Sequence, residues 1–233
     1  MRKKGFTLSE VLIAMSIIGI LAALTIPTFV SSGRNRANAT KLSTIISAVE
    51  NAFTSMLASE GYPDLAETDF GVEPNATNLG KYLKLAGSKE KLKDYYGTDS
   101  PFMTIDNTSF QPGVTRIFET KNGAYLIYQT SAVSRSIADV QKYGGAVTDS
   151  IGILTIDVNG KAKPNVWGRD TFYFRIGDKG LLYPAGGKIF SILEKNSDEH
   201  LWNVSSSDYK CVNDVKKIGC TARLIENNFE VDF

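Results

Sequence analysis

The sequence predicts an α+β fold, a long N-terminal helix packed against an antiparallel β-sheet head. Three observations carry this. A nearly uncharged N-terminal run passes into residues whose apolar positions recur every three or four, the period of one helix face. Past residue 113 the apolar runs shorten and are separated by turn residues. Asn122-Gly123 between two such runs is the strongest short-range hairpin signal.

The helix comes first. Between Lys4 and Arg34 lie 29 residues with one charge, Glu10, and the uncharged stretch Val11 to Gly33 is 23 residues long. As a helix that stretch spans roughly 35 Å, enough to cross a hydrocarbon core of about 30 Å. Arg2, Lys3 and Lys4 hold its start on the cytoplasmic side and place everything after Arg34 outside. Beyond it, Leu42, Ile45, Ile46, Val49, Ala52, Phe53, Met56 and Leu57 form an apolar stripe, with Lys41, Ser43, Ser47, Glu50, Asn51 and Ser55 on the other face. Gly61 and Pro63 mark the end, so one helix is expected from Phe6 to about Ser59, roughly 80 Å long. The stripe is the surface for a sheet.

Residues 62 to about 113 read as connecting architecture, interrupted by Pro63, Pro74, Pro101 and Pro112. A second helix is expected from Asn78 to Ala86. Lysines 81, 84, 89, 91 and 93 form a basic cluster tempered by Glu90 and Asp94, read as a solvated helix face with a DNA-touching patch as the alternative. Strands follow at Thr115 to Thr120 and Ala124 to Gln129, at Ile151 to Val158, and at Phe172 to Ile176 paired with Leu181 to Tyr183.

Composition excludes several functions. The net charge of +1 argues against nucleic-acid binding driven by overall charge. One histidine and two cysteines are too few for a closed zinc site of about four such ligands, or for an iron–sulfur cluster. His200 stands beside Asp198 and Glu199, but no nucleophile motif accompanies it, and Ser205 to Ser207 read as a polar loop. Gly186-Gly187-Lys188 lacks the glycine spacing of a phosphate loop and reads as a turn. No catalytic set is expected.

Three readings of the N-terminus compete. An ordinary signal peptide has an apolar core of about 7 to 15 residues and a small-x-small cleavage site, whereas this run is longer, is preceded by Glu10, and offers no such site around Ile26 to Val30. A plain signal anchor explains length and orientation but leaves Glu10 without a purpose in apolar surroundings, where an acid is a functional candidate that needs a partner. The third reading rests on Lys3-Lys4-Gly5-Phe6-Thr7-Leu8-Ser9-Glu10-Val11-Leu12-Ile13. This segment closely resembles the leader region of type IV pilins and type II secretion pseudopilins.

The resemblance implies cleavage between Gly5 and Phe6 by a prepilin peptidase, N-methylation of Phe6, and assembly through the helix into a pilus or a secretion pseudopilus. It implies a leader at residues 1–5, an apolar assembly helix at 6–33, an amphipathic continuation at 34–60 and a head at 61–233. Removing the leader takes the formal charge from +1 to −2 before the termini are counted. Glu10 becomes the fifth residue after the cut. In a filament of staggered helices it can meet the Phe6 amine of the next subunit, and an unpaired charge there costs several kcal/mol. Pro27 removes an amide donor and is expected to kink or locally open the helix. Gly5, Ala22 and Ala23 allow helices to approach closely, and Gly19 and Pro27 fall where the family often has Gly and Pro. The implied partners are the peptidase, other pilin or pseudopilin subunits, an inner-membrane assembly platform and the inner membrane itself, with the head outside the cytoplasm. The rival is a signal-anchored extracytoplasmic binding protein that does not polymerise.

Two further expectations concern the head. Asp157, Asn159 and Asp170 collect hard oxygen donors around two turns, and some pseudopilins bind calcium in a head loop. The alternative role is turn formation, with Trp167 as packing. Outside the cytoplasm thiols oxidise, so Cys211 and Cys220 are expected to form a disulfide, as the resemblance also implies.

Overall fold

The computed structural model describes residues 7–104, 107–134, 149–187, 211, 212, 215, 216 and 220–230. Helix α1 spans Leu8–Glu60 without interruption, and the Gly61 amide closes it by donating to the Leu57 carbonyl at 3.0 Å. Its first buried residues are Asn38 and Ala39. The part before them is about 30 residues, or ~45 Å of helix projecting from the head.

After a 3-10 turn at Leu65–Glu67 come α2 (Asp69–Val72), α3 (Ala76–Gly80), β1 (Leu85–Lys89) and α4 (Leu92–Tyr96). Then follow β2 (Arg116–Thr120), β3 (Tyr125–Ser134), β4 (Asp149–Asp157), β5 (Thr171–Gly177) and β6 (Leu182–Pro184). A two-stranded ribbon, β7 (Cys211–Val212) with β8 (Val215–Lys216), precedes the short helix α5 (Cys220–Glu226). Among the described residues the main sheet has six strands in chain order, each antiparallel to the next. The expected hairpins are all present, with Phe118 opposite Leu126 across the Asn122-Gly123 turn.

Alternation along the strands builds two cores. Phe118, Leu126, Tyr128, Leu154, Ile156, Phe172, Phe174 and Ile176 point to one face, where they pack on Leu42, Ile45, Val49, Phe53 and Met56 of α1. The predicted stripe is therefore the helix face that covers the sheet, and each fully buried side chain of this size contributes about 1.5–3 kcal/mol. Ile117, Tyr125, Ile127, Ile153 and Tyr173 point to the opposite face, where Leu92, Tyr95, Phe102 and Trp167 cover them. The Trp167 indole N–H donates to the Phe110 carbonyl at 2.8 Å, so its polar atom is satisfied within this second core. The connecting segment before β2 thus serves both faces, with Leu65, Phe70 and Leu79 in the first core and Leu92, Tyr95 and Phe102 over the second.

Polar contacts fix the helix rotation. The Leu182 amide donates to the Glu50 carboxylate at 2.9 Å, and Asn38 Nδ2 donates to the Arg169 carbonyl at 3.1 Å. The β5–β6 turn comes so close that a Cβ on Gly180 would lie 2.6 Å from Cβ of Phe53.

The second helix is a correction. Only Ala76–Gly80 is helical, and Leu85–Lys89 is an edge strand paired with β2, Ser88 opposite Phe118. The lysine cluster is accordingly not one helix face. Lys81 pairs with Asp69 at 2.7 Å, Lys89 ends β1, and Lys91 and Lys93 lie at and within the start of α4.

Candidate functional site

The N-terminal half of α1 is apolar on every side. Leu8–Ile26 is long and apolar enough to cross a membrane, and none of it is buried in the head. Such a helix must satisfy its own polar groups. Ser16 Oγ donates to the Leu12 carbonyl at 2.8 Å and Thr25 Oγ1 to the Leu21 carbonyl at 2.9 Å, so the hydroxyls are bonded within the helix. A Cβ on Gly19 would meet nothing within 4 Å, leaving a small, open spot on this surface. Pro27 lies within the uninterrupted helix.

The helix start is a capping box. The Thr7 hydroxyl accepts from the Glu10 amide at 3.2 Å, while the Glu10 carboxylate accepts from the Thr7 amide and hydroxyl, each at 2.8 Å. This satisfies amide donors that have no partner in the helix ladder. Glu10 is thus held by its own chain. Thr7 belongs to the leader motif, but its capping role was missed from the sequence, although Thr-x-x-Glu before an apolar run is the signature of such a cap. Gly5 and Phe6 lie outside the described residues.

In the head, Asp157 and Asp170 are buried and saturated with hydrogen bonds. Asp157 accepts from the Asn159 and Gly160 amides at 3.2 and 2.9 Å and from the Tyr96 hydroxyl at 2.6 Å. Asp170 accepts from the Val166 and Asn165 amides at 2.5 and 3.1 Å and from Asn159 Nδ2 at 3.1 Å. Asn159 Oδ1 and Asn165 Oδ1 have no hydrogen-bond partner. Burial pushes the Asp157 carboxyl up to about 8, against the lowering effect of its donors and with a further rise from nearby Asp170. Burial likewise raises Asp170. The two carboxylates organise the turns after β4 and before β5. Among the described residues there is no group of three or more His, Cys, Asp or Glu side chains suited to a metal ion.

Cys211 and Cys220 are joined in a disulfide that ties β7 to the start of α5. Arg223 Nη1 donates to the Cys211 carbonyl at 3.0 Å, and the Ala222 amide donates to the Ala185 carbonyl at 3.2 Å. The C-terminal loop is thereby fastened to the β6 end of the sheet. Gly186 and Gly187 form a turn after β6. Lys188, Asp198, Glu199, His200 and Ser205 to Ser207 lie outside the described residues.

Residues 1–26 match the family model of the prokaryotic N-terminal methylation motif. The chain is 33% identical over 78 residues to the fimbrial protein EcpB of Eikenella corrodens, an alignment covering 34% of this chain and 48% of that protein. It is 32% identical over 82 residues to the type IV major pilin protein PilE of Neisseria gonorrhoeae, covering 35% and 48%. The chain spans about half the length of the curated relatives it matches. No solved structure gives a significant match. The motif and the relatives make the chain similar to pilins over its N-terminal part, and among the described residues one helix is long and apolar enough to cross a membrane.

Proposed function

We propose that the protein is a structural subunit of a pilus or pseudopilus, cut after Gly5 by a prepilin peptidase, methylated on Phe6, and packed into a filament by its N-terminal helix. Before assembly the apolar half of α1 sits in the inner membrane with the head outside the cytoplasm. Other subunits, an inner-membrane assembly platform and the bilayer are its partners. The observation that carries this reading is a methylation-type segment at the start of a fully exposed apolar helix that runs unbroken into a folded head.

Charge supplies the assembly logic. The cut at Gly5 creates an ammonium on Phe6, close to the Thr7–Glu10 cap. In the membrane-bound subunit the cap satisfies Glu10, as it does in the structure. In the filament the Phe6 ammonium of a neighbour replaces or joins Thr7 at the carboxylate, and the charge pair fixes the stagger of adjacent helices. Pro27, lacking an amide donor, marks where the rod opens most readily when it leaves the bilayer.

Mass spectrometry of the exported chain tests the reading. The expected N-terminus is N-methylated Phe6 in a sheared filament fraction. An intact Met1 on a chain that never enters filaments would replace it with a signal-anchored protein, and a start beyond residue 20 with a secreted one.

A further inference from the structure

Beside α1 the head carries a cleft of about 380 Å³, enclosed by the helix, the link from α3 to β1 and the β2–β3 turn. Its apolar surface comes from Ile45, Ala48, Val49 and Leu83, and Lys84 and Lys121 stand at its rim. Both lysines are exposed, and neither has an ion-pair partner among the described residues. An apolar pocket with unpaired cations at its mouth selects an apolar group flanked by acids.

The same chain carries that complement. Residues 60–75 hold five acids and no lysine or arginine. At the end of α2, Val72 is 76% exposed, the most exposed large apolar side chain outside the membrane-type part of α1 among the described residues. Glu67 and Glu73 beside it are exposed and unpaired among the described residues, whereas Asp69 is taken by Lys81 and Glu60 accepts from the Asp69 amide. The cleft lies beside Thr44 to Val49, and the α2 that carries the knob packs through Phe70 on Phe53, farther along the helix. At 1.5 Å per residue, Ala48 and Phe53 are ~7.5 Å apart along the axis, so the two patches are distinct. Two different patches that mate head to tail make an interface that propagates instead of closing on a pair.

We propose that the Val72 knob of one copy, rimmed by Glu67 and Glu73, seats in the Ile45–Ala48–Leu83 cleft of a second copy, whose Lys84 and Lys121 neutralise the acids. This rests on the filament reading above and adds to it a contact between heads. The head contact and the Glu10 contact engage different neighbours in a helical array.

The test uses the full-length chain in cells with an intact pilus assembly system. Both native cysteines are in the disulfide, so Val72→Cys with Ala48→Cys supplies the only free thiols. Mild oxidation of intact filaments should give a ladder of cross-linked multimers. A mixture of the two single variants should stop at dimers, and either single variant alone should give monomers. Separately, Lys84→Glu with Lys121→Glu should lower the sheared filament yield roughly threefold or more at unchanged membrane level. Adding Glu67→Lys and Glu73→Lys to the same chain should restore it. Filaments of normal yield without the cross-link, or a charge reversal that the swap fails to rescue, would overturn the head contact and leave the cleft to another occupant. Absence of filaments from the unsubstituted chain would instead overturn the filament reading, and the head contact with it.

Discussion

Gly180→Ala probes the tightest joint between helix and sheet. Gly180 has φ +81°, a conformation that costs a residue with a Cβ about 1–2 kcal/mol. The new Cβ would also lie 2.6 Å from Cβ of Phe53, which cannot swing aside because it is fixed to the α1 backbone. Relieving that overlap requires the turn and the helix to separate, for which overpacking in a core suggests about 1–3 kcal/mol. Gly123→Ala is the matched control, since its φ is +80° but its Cβ would meet nothing within 4 Å. The difference between the two variants isolates the helix contact at roughly 1–3 kcal/mol, or roughly 2–12 °C in Tm for a chain of this size. Thermal unfolding of the full chain in detergent, followed by near-ultraviolet circular dichroism, measures it. Phe53→Ala added to Gly180→Ala should not recover the loss, because alanine keeps the offending Cβ. Equal Tm values for Gly180→Ala and Gly123→Ala would refute the close approach.

Other perturbations reach the remaining features. Glu10→Gln should leave membrane insertion intact and abolish most filament assembly, measured by fractionation and shearing; equal assembly would remove the charge pair from the mechanism. Asp157 has its folded-state pKa raised to about 8 from 3.8, so the folded state binds the extra proton between those values. Stability should therefore fall as pH rises through that window, by at most about 1.4 kcal/mol per pH unit from this group, and level off above it. Asp157→Asn should flatten the slope in denaturant titrations at pH 5 and pH 8. Reducing Cys211–Cys220 should cost on the order of 2–3 kcal/mol by the entropy of so short a loop, read as a lower denaturation midpoint. Phe70→Ala, which removes a ring 5.6 Å from Phe53 and 5.3 Å from Tyr128, should cost about 3–5 kcal/mol.

Features written in local chemistry were readable from the sequence. The stripe from Leu42 to Leu57, the Asn122-Gly123 hairpin and the segment around Glu10 each depend on spacing within a few residues. β1 was not readable, because Leu-Ala-Gly-Ser-Lys contains no β-branched or aromatic residue. It is a strand because the edge of β2 offers unpaired backbone, and that partner lies about 30 residues away. The second core was missed for a related reason. Phe102 and Phe110 stand among prolines and polar residues and look like loop until the sheet's other face is in place, where Trp167, expected as packing, joins them. A hint was present in Phe172 to Ile176, whose nearly continuous apolar run fits a strand covered on both sides. At Asp157 and Asp170 the oxygen donors around two turns were readable, whereas the amides of Asn159, Gly160, Asn165 and Val166 that donate to them were not.

Because α1 is one continuous helix from Leu8 to Glu60, the apolar, membrane-length segment and the spine of the head are the same object. A load applied to the head reaches the apolar end through a single column of backbone bonds, with no slack linker to absorb it. The side-chain clamps at Asn38, Glu50 and Phe53 also forbid the head from swivelling about that column. On the proposed filament reading, head and apolar end would then move as one when the chain leaves lipid, with Pro27 the place where the column yields first.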